Sequence, residues 1–192
     1  MATEEQTSYD SWVALYSGRW SSGQRLTISN RIVTKIGFWL SRIGSPTGDV
    51  YARIRKVSNN SLIVSKILIA AASVTANPTV TYYEVTLNIP VLINEEVRMY
   101  AYFAPSTNAG NYIRGWYQLA GNVKADEQFT LTQTADDSNW VSGDVGSDFA
   151  YIYTYQGGPT PPPTSGSLVL PADPITRVTN LTHRYNRKQG IY

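Results

Sequence analysis

The stretch IVTKIGFWLSRIGSPTGDVYARIRK, Ile32 to Lys56, holds two runs in which apolar residues alternate with other residues. Within each run the apolar residues share one parity: Ile36, Phe38 and Leu40, then Val50, Ala52 and Ile54. A period of two places alternate side chains on opposite faces of a sheet. Between the runs, Gly44-Ser45-Pro46-Thr47-Gly48 predicts a loop, because proline fixes one φ and each glycine can take a positive φ.

The same alternation continues on both sides of this stretch and predicts an all-β chain of about ten strands. The predicted strands are Trp12–Tyr16, Gln24–Ile28, Ile32–Ile43, Val50–Lys56, Leu62–Ala72, Thr81–Ile89, Val97–Ala104, Asn111–Leu119, Gln128–Gln133 and Phe149–Tyr155. Ser65 to Val74 has a helical alternative, which its stiff β-branched residues disfavour. The period also predicts ten inward side chains: Ile36, Phe38, Leu40, Val50, Ala52, Ile54, Val85, Leu87, Met99 and Phe103.

Several of these segments resemble one family of β-sandwich modules. They are Gln24–Ile28, Ile36–Leu40, Gly44–Gly48, Tyr82–Val85, Val97–Ala104, Tyr112–Trp116 and Asp148–Tyr153, in this order. The family includes choice-of-anchor domains and occurs in bacterial, phage and environmental virus proteins. The resemblance implies an antiparallel jelly-roll sandwich similar to carbohydrate-binding modules. It implies no catalytic motif.

Three parts are predicted: a sandwich domain over 1–156, a Pro/Gly-rich linker over 157–166, and an extended, strand-prone tail over 167–192. Tandem prolines favour extended polyproline II, so the linker is a semi-rigid spacer. The tail has four basic residues against one acidic residue, a net +3, so the rest of the chain carries −1 of the total +2. Within the tail, Arg177 to Arg187 resembles a segment of phage tail and baseplate proteins.

The residue inventory excludes several kinds of site. The 192 residues include no Cys and one His, His183 in the tail, which excludes disulfides, thiolate metal sites and zinc ribbons. A pair of carboxylates can serve a glycosidase, but no pair stands out by position. Lys and Arg are scattered and no groove-reading motif is present, so we do not expect nucleic acid as a partner. We therefore expect a chain that is not an enzyme.

The polar N-terminus predicts no signal peptide, and no apolar run is long enough for a transmembrane segment. A particle released by lysis needs no leader. These features favour a virion or another extracellular location, with no membrane partner.

Two ligand sites are open hypotheses. Calcium takes six to eight oxygen ligands, and the acidic segment Asp126 to Asp148 offers Asp126, Asp136, Asp137 and Asp144; the alternative is acids that solvate turns. Trp116, Tyr117 and Trp140 are candidates for a platform that stacks on sugar rings. Packing and subunit interfaces also use aromatic residues, and we favour them over sugar.

The sequence therefore predicts a non-enzymatic structural subunit of a virus or phage particle: a capsid decoration, tail or fibre component. It would form homo-oligomers and contact other virion subunits through its tail. The expected intersubunit contacts are Leu168, Val169, Leu170, Ile175, Val178, Leu181, Arg184, Arg187 and Lys188. The alternative function is a carbohydrate-binding or receptor-binding, adhesin-like module. No cofactor is expected apart from the candidate calcium ion.

Overall fold

A computed structural model describes residues 1–104, 110–119, 124–142 and 146–158 of the chain. These residues belong to one compact unit, Met1–Gly158, and the unit is all-β and antiparallel, as predicted. Its strands are β1 Ala2–Gln6, β2 Ser11–Leu15, β3 Ser21–Ile43, β4 Asp49–Lys56, β5 Leu62–Ala70, β6 Thr81–Phe103, β7 Tyr112–Gln118, β8 Gln128–Thr132, β9 Trp140–Ser142, β10 Asp148–Phe149 and β11 Tyr151–Gly157. Ala71–Ser73 forms a single 3₁₀ turn.

Two long strands form the spine of the sheet. β3 and β6 have 23 residues each and pair with one another along most of their length. The sequence predicted each of them as two shorter strands. Instead, the pairing continues through register shifts between Ile28 and Arg31 and between Val33 and Lys35. Bulges of this kind bend a strand without ending it.

The bends divide the sheet into two halves. In the first half, residues 21–25 of β3 pair with β8, and residues 97–103 of β6 pair with β4, whose other neighbour is β5. In the second half, residues 31–43 of β3 pair with β11 and β7, which in turn pair with β1 and β2. Side chains from both halves enter one hydrophobic core, which is the arrangement of a sandwich.

The core confirms the register read from the sequence. Nine of the ten side chains predicted to point inward are buried, and Val85 is half-buried against the same core. Phe38 lies edge-on to Phe149, with ring centroids 5.6 Å apart. A register error of one residue would have exposed this whole set.

The loop after β3 is also as predicted. Gly44 has φ +66° and Gly48 has φ +98°, the region that favours glycine. The helical alternative for Ser65 to Val74 is wrong, because β5 continues to Ala70 and only one 3₁₀ turn follows.

Two strands were not predicted. β1 is a polar segment with no apolar alternation, and it lies on β11 with Ala2 opposite Tyr155 and Gln6 opposite Tyr151. β9 has three residues and pairs with β8. Both are edge strands: β1 pairs with a strand about 150 positions away, whereas β9 pairs with a strand about ten positions earlier.

Candidate functional site

The three aromatic residues of the predicted platform lie in different surroundings. Trp116 and Tyr117 are consecutive in β7, so their side chains leave opposite faces of the sheet. Tyr117 stacks on Phe129 against the core, with ring centroids 4.7 Å apart. Trp140 lies edge-on to Tyr100 at 4.8 Å. The structure therefore does not gather these three side chains into one platform.

Trp116 belongs to a different group of aromatic side chains, which we call the outer aromatic row. It consists of Tyr9, Trp12, Trp39, Tyr82 and Trp116. Trp12 is directly opposite Trp116 on neighbouring strands, and Trp39 is directly opposite Tyr82. The Tyr9 ring joins the two pairs, since its centroid lies 5.4 Å from Trp116 and 6.4 Å from Trp39.

The row lies on the outer face of the second half of the sheet. Trp39 alternates with the buried core residues Phe38 and Leu40, so it points away from the core. Its ring lies 4.7 Å from that of Tyr82. The row crosses β2, β7, β3 and β6, three strand spacings or about 14 Å. Tyr9 and Trp12 are 38% and 40% exposed, so part of the row faces solvent.

Polar groups border the row at both ends. At one end, the Arg114 guanidinium lies 3.8 Å from the centroid of the Trp12 ring and donates to Asn77 Oδ1 at 2.7 Å. At the other end, Tyr82 donates to Glu84, which also pairs with Lys35. Burial, and then the Glu84 charge, raises the pKa of Tyr82. The row therefore offers ring faces between hydrogen-bonding groups.

Sequence reasoning singled out Trp116 and did not find this grouping. The signal available in the sequence was the alternation of side chains along the strand. Trp39 lies between Phe38 and Leu40, so its side chain is on the opposite face from theirs. The pairing of β2 with β7 was needed to add Trp12, and that pairing joins residues about 100 positions apart.

Among the predicted calcium ligands that the structure describes, Asp126 is separated from Asp136 and Asp137. Asp126 precedes β8, whereas Asp136 and Asp137 follow it, and a strand of five residues spans about 16 Å. Asp126 and Asp136 are exposed, and Asp144 lies outside the described residues. Residues 1–104, 110–119, 124–142 and 146–158 contain no group of three or more His, Cys, Asp or Glu side chains that could hold a metal ion.

Asp137 is instead the centre of a buried polar cluster. Its side chain is fully buried, and its backbone has φ +56°. Oδ1 accepts from Ser21 at 2.5 Å, and Oδ2 accepts from Arg53 Nη1 and from Tyr100 OH at 2.8 Å each. Arg55 Nε lies 3.5 Å away. These contacts anchor the loop after β8 to β3, β4 and β6.

A second polar cluster attaches the N-terminal strand. Lys124 Nζ lies 3.1 Å from Glu4 Oε1 and 3.4 Å from Glu127 Oε1, so one ammonium contacts both carboxylates. Arg31 and Tyr153 also donate to Glu4, and Tyr151 donates to both Glu127 oxygens at 2.7 Å. Two adjoining clefts of about 340 and 350 Å³ share Ala125, Asp126 and Glu127 in their walls.

The two carboxylates of this cluster have opposite pKa shifts. Burial raises the pKa of Glu127, and its contacts with Tyr151 and Lys124 offset only part of that effect. Burial also acts to raise the pKa of Glu4, but the hydrogen bonds from Arg31, Lys124 and Tyr153 outweigh it and lower the pKa. A raised and a lowered carboxyl pKa in one cleft is an arrangement that acid–base enzymes use. Here, however, the oxygens contact groups of the chain itself, so we assign the cluster to attachment of β1.

β5 is an exposed apolar strand edge in the described part of the chain. β1 and β5 terminate the main strand order, and among the described residues β5 pairs only with β4. Its sequence, LIVSKILIA, has one charged residue in nine. Leu62 is 45% exposed and Ile67 is 50% exposed. An apolar edge of this length can pair with a further strand.

All predicted intersubunit residues, Leu168 to Lys188, and the single histidine His183 lie outside the described residues. The predicted linker and tail boundaries lie there too, apart from Gly157 and Gly158. No helix in the part of the chain that the structure describes is long and apolar enough to cross a membrane. No protein-family profile, curated protein or solved structure matches the chain.

Proposed function

We propose that this chain is a non-enzymatic structural subunit of a virus or phage particle or of a related extracellular assembly. In this proposal the sandwich is a rigid body, and subunits join through the apolar edge of β5 and the strand-prone tail. The open β5 edge is the observation that supports it best, because an apolar strand that pairs on one side only leaves main-chain groups available for an added strand. The virion location follows from the family resemblance and the composition.

The tail has a stated role in this assembly. Its apolar residues, Leu168 to Leu181, would be buried at the contact with a neighbouring subunit. Its basic end, with Arg184, Arg187 and Lys188, would face acidic loops of that neighbour, and Asp126 and Asp136 are exposed acids on such loops. Contacts between exposed charges weaken with salt, whereas main-chain pairing persists.

Oligomeric state tests the proposal. The full chain should be larger than a monomer by light scattering on a sizing column, and removal of residues 159–192 should yield a monomer. The shortened chain keeps every core residue that the structure describes, so its fold should remain intact. A monomeric full chain across the micromolar range would contradict the proposal, as would an oligomer that survives the truncation.

The outer aromatic row favours a second candidate function, binding of a carbohydrate chain. Pyranose rings present C–H faces that pack on aromatic rings, and a row about 14 Å long suits several linked sugars rather than one. Arg114 and Asn77 at one end of the row, with Glu84 at the other, would supply hydrogen bonds to hydroxyl groups.

A glycan array with three single-site variants tests the second function. Trp39→Ala and Trp116→Ala should abolish retention of any bound glycan. Trp140→Ala is the matched control, because it removes a half-buried tryptophan that lies outside the row. Glycan binding that depends on Trp140 rather than on Trp39 would place the sugar site elsewhere.

A further inference from the structure

The edge of β5 has a short regular section between two bulges. Its pairing with β4 shifts register between Val64 and Leu62 and between Ile67 and Ile69. Bulges twist an edge and limit unwanted pairing, and Lys66 adds a charge within the section. The regular section, Val64–Ile67, therefore admits a short partner strand and disfavours a long one.

The two faces of this section differ: one faces the core and the other faces outward. This difference determines which side chains of a partner strand would fit against it. Val64 pairs with Ile54 and faces the core, whereas Ser65 and Ile67 pair with Arg53 and Tyr51 on the outer face. Ile67 is 50% exposed on that outer face. An added strand with an apolar residue beside Ile67 would cover it.

The chain itself contains a segment of this kind. Thirty-four residues follow Gly158, and within them Ile175-Thr176-Arg177-Val178-Thr179-Asn180-Leu181 is a run free of proline and glycine. Four of its residues are β-branched, which favours a strand. Leu168–Leu170 is the other apolar segment, but Pro171 follows directly, and proline cannot donate a main-chain hydrogen bond.

We infer that the β5 edge, at Val64–Ile67, accepts residues 175–181 of a second copy of this chain as an added strand. This inference rests on the proposed function and names the contact through which the subunits join. In the strand order, four steps separate β5 from β11, the strand after which the tail begins. Sixteen residues separate Gly158 from Ile175, an extended reach of about 55 Å at most, which is long enough for the segment to meet the β5 edge of a neighbouring copy.

The contact is heterologous, because the tail of one copy binds the edge of another. Repetition of a heterologous contact produces a closed ring or an open filament. Each copy then uses one tail and one edge, so every interior copy is bound on both sides.

Cysteine cross-linking tests the contact directly, because the chain has no cysteine of its own. One full-length chain carries Ser65→Cys, and others carry Thr176→Cys, Val178→Cys or Thr179→Cys. Mixing the first chain with each of the others under mild oxidation should produce a disulfide-linked pair, which can only form between copies. Thr3→Cys, on the opposite terminal edge β1, is the matched control and should not cross-link to the tail.

A second measurement does not depend on a particular register. Ile67→Lys should weaken association roughly tenfold or more, because a charge replaces apolar surface that the added strand covers. Leu119→Lys is its control, a leucine that is 48% exposed at the end of β7 in the other half of the sheet, and it should leave association unchanged.

The outcomes separate this inference from the proposed function. A full chain that oligomerises through its tail but forms no cross-link at Ser65, or cross-links equally at Thr3, would overturn the β5 contact and leave the assembly function standing. A disulfide only within one chain, in the doubly substituted Ser65→Cys, Val178→Cys protein, would show that the tail returns to its own edge. A full chain that stays monomeric would overturn both proposals.

Discussion

Replacement of Asp137 separates a structural role of the acidic loop from a calcium site. The carboxylate is fully buried and accepts from Ser21, Arg53 and Tyr100, with Arg55 Nε 3.5 Å away. Asp137→Ala would leave the two arginine side chains, which are only 17% and 15% exposed, without their counter-charge. Removal of one partner of a buried ion pair costs about 3–5 kcal/mol. For a domain of this size that cost corresponds to a fall of roughly 6–20 °C in melting temperature.

The neighbouring residue is the control. Asp136 is exposed, and its carboxylate accepts from Ser138 of the same turn, so Asp136→Ala should change the melting temperature little. Thermal unfolding of both variants, with calcium and with chelator, measures the difference. If the cluster is structural, Asp137→Ala is destabilised equally in both buffers. The reasoning fails if Asp137→Ala unfolds like the parent chain, or if both variants lose a stabilisation that calcium confers on the parent.

A second substitution tests the cause of the destabilisation. In the Asp137→Ala background, Arg53→Met removes one uncompensated charge while retaining much of the side-chain volume. It should recover part of the lost stability, although in the parent chain the same change should be destabilising. Additive effects in the two backgrounds would show that the arginine and the aspartate do not interact.

Three further predictions concern the core, the N-terminal strand and a close backbone contact. Phe38→Ala should lower the free energy of unfolding in urea by about 3–5 kcal/mol, since the ring is fully buried. At neutral pH, Glu4→Gln should destabilise the fold and Glu127→Gln should stabilise it, because ionisation is favoured by the folded state at the first position and opposed at the second. Gly23→Ala should destabilise the chain, because its Cβ would lie 2.1 Å from a main-chain oxygen, whereas Gly157→Ala meets nothing within 4 Å.

The direction of each pKa shift determines the pH range in which that glutamate affects the stability of the fold. The folded-state pKa of Glu4 is lowered, so its contribution is present above about pH 4.5 and is lost as the pH falls through the folded pKa. The folded-state pKa of Glu127 is raised, so its contribution is greatest in acid and is lost as the pH rises through that value. Urea unfolding across this range should show the two variants converging on the parent chain in acid. Equal effects at all pH values would contradict both assignments.

The features predicted from sequence were those that depend on neighbours in the chain. The two-residue period identified nine buried side chains, and two glycines marked a loop with positive φ, because both signals are local. The sequence predicts breaks between strands at the bends of β3 and β6, since polar residues at a bulge resemble a turn in sequence. Whether such residues end a strand depends on the partner strand, which a single sequence does not show.

The clusters were not predictable in the same way. Asp137 binds Ser21, which lies 116 positions away, and the same aspartate was equally suited to a calcium loop until Arg53 and Tyr100 were placed beside it. Glu4 is one of several acids in a polar N-terminus, and only the pairing of β1 with β11 gives it Tyr153 as a partner. The identity of a residue indicates which contacts its side chain can make, whereas the pairing of strands determines which residues it contacts.

The two candidate contact surfaces occupy different halves of the sheet, and this bears on how the proposed functions relate. Trp39 and Tyr82 pair in the half that contains β7 and β2, while β5 joins through β4 to residues 97–103 of β6. A subunit joined through β5 could therefore leave its aromatic row open. If both functions are real, Ile67→Lys should weaken assembly without loss of glycan binding, and Trp39→Ala should do the reverse. Loss of both properties in either variant would mean that one contact uses both surfaces, so the row would then belong to the subunit interface rather than to a sugar site.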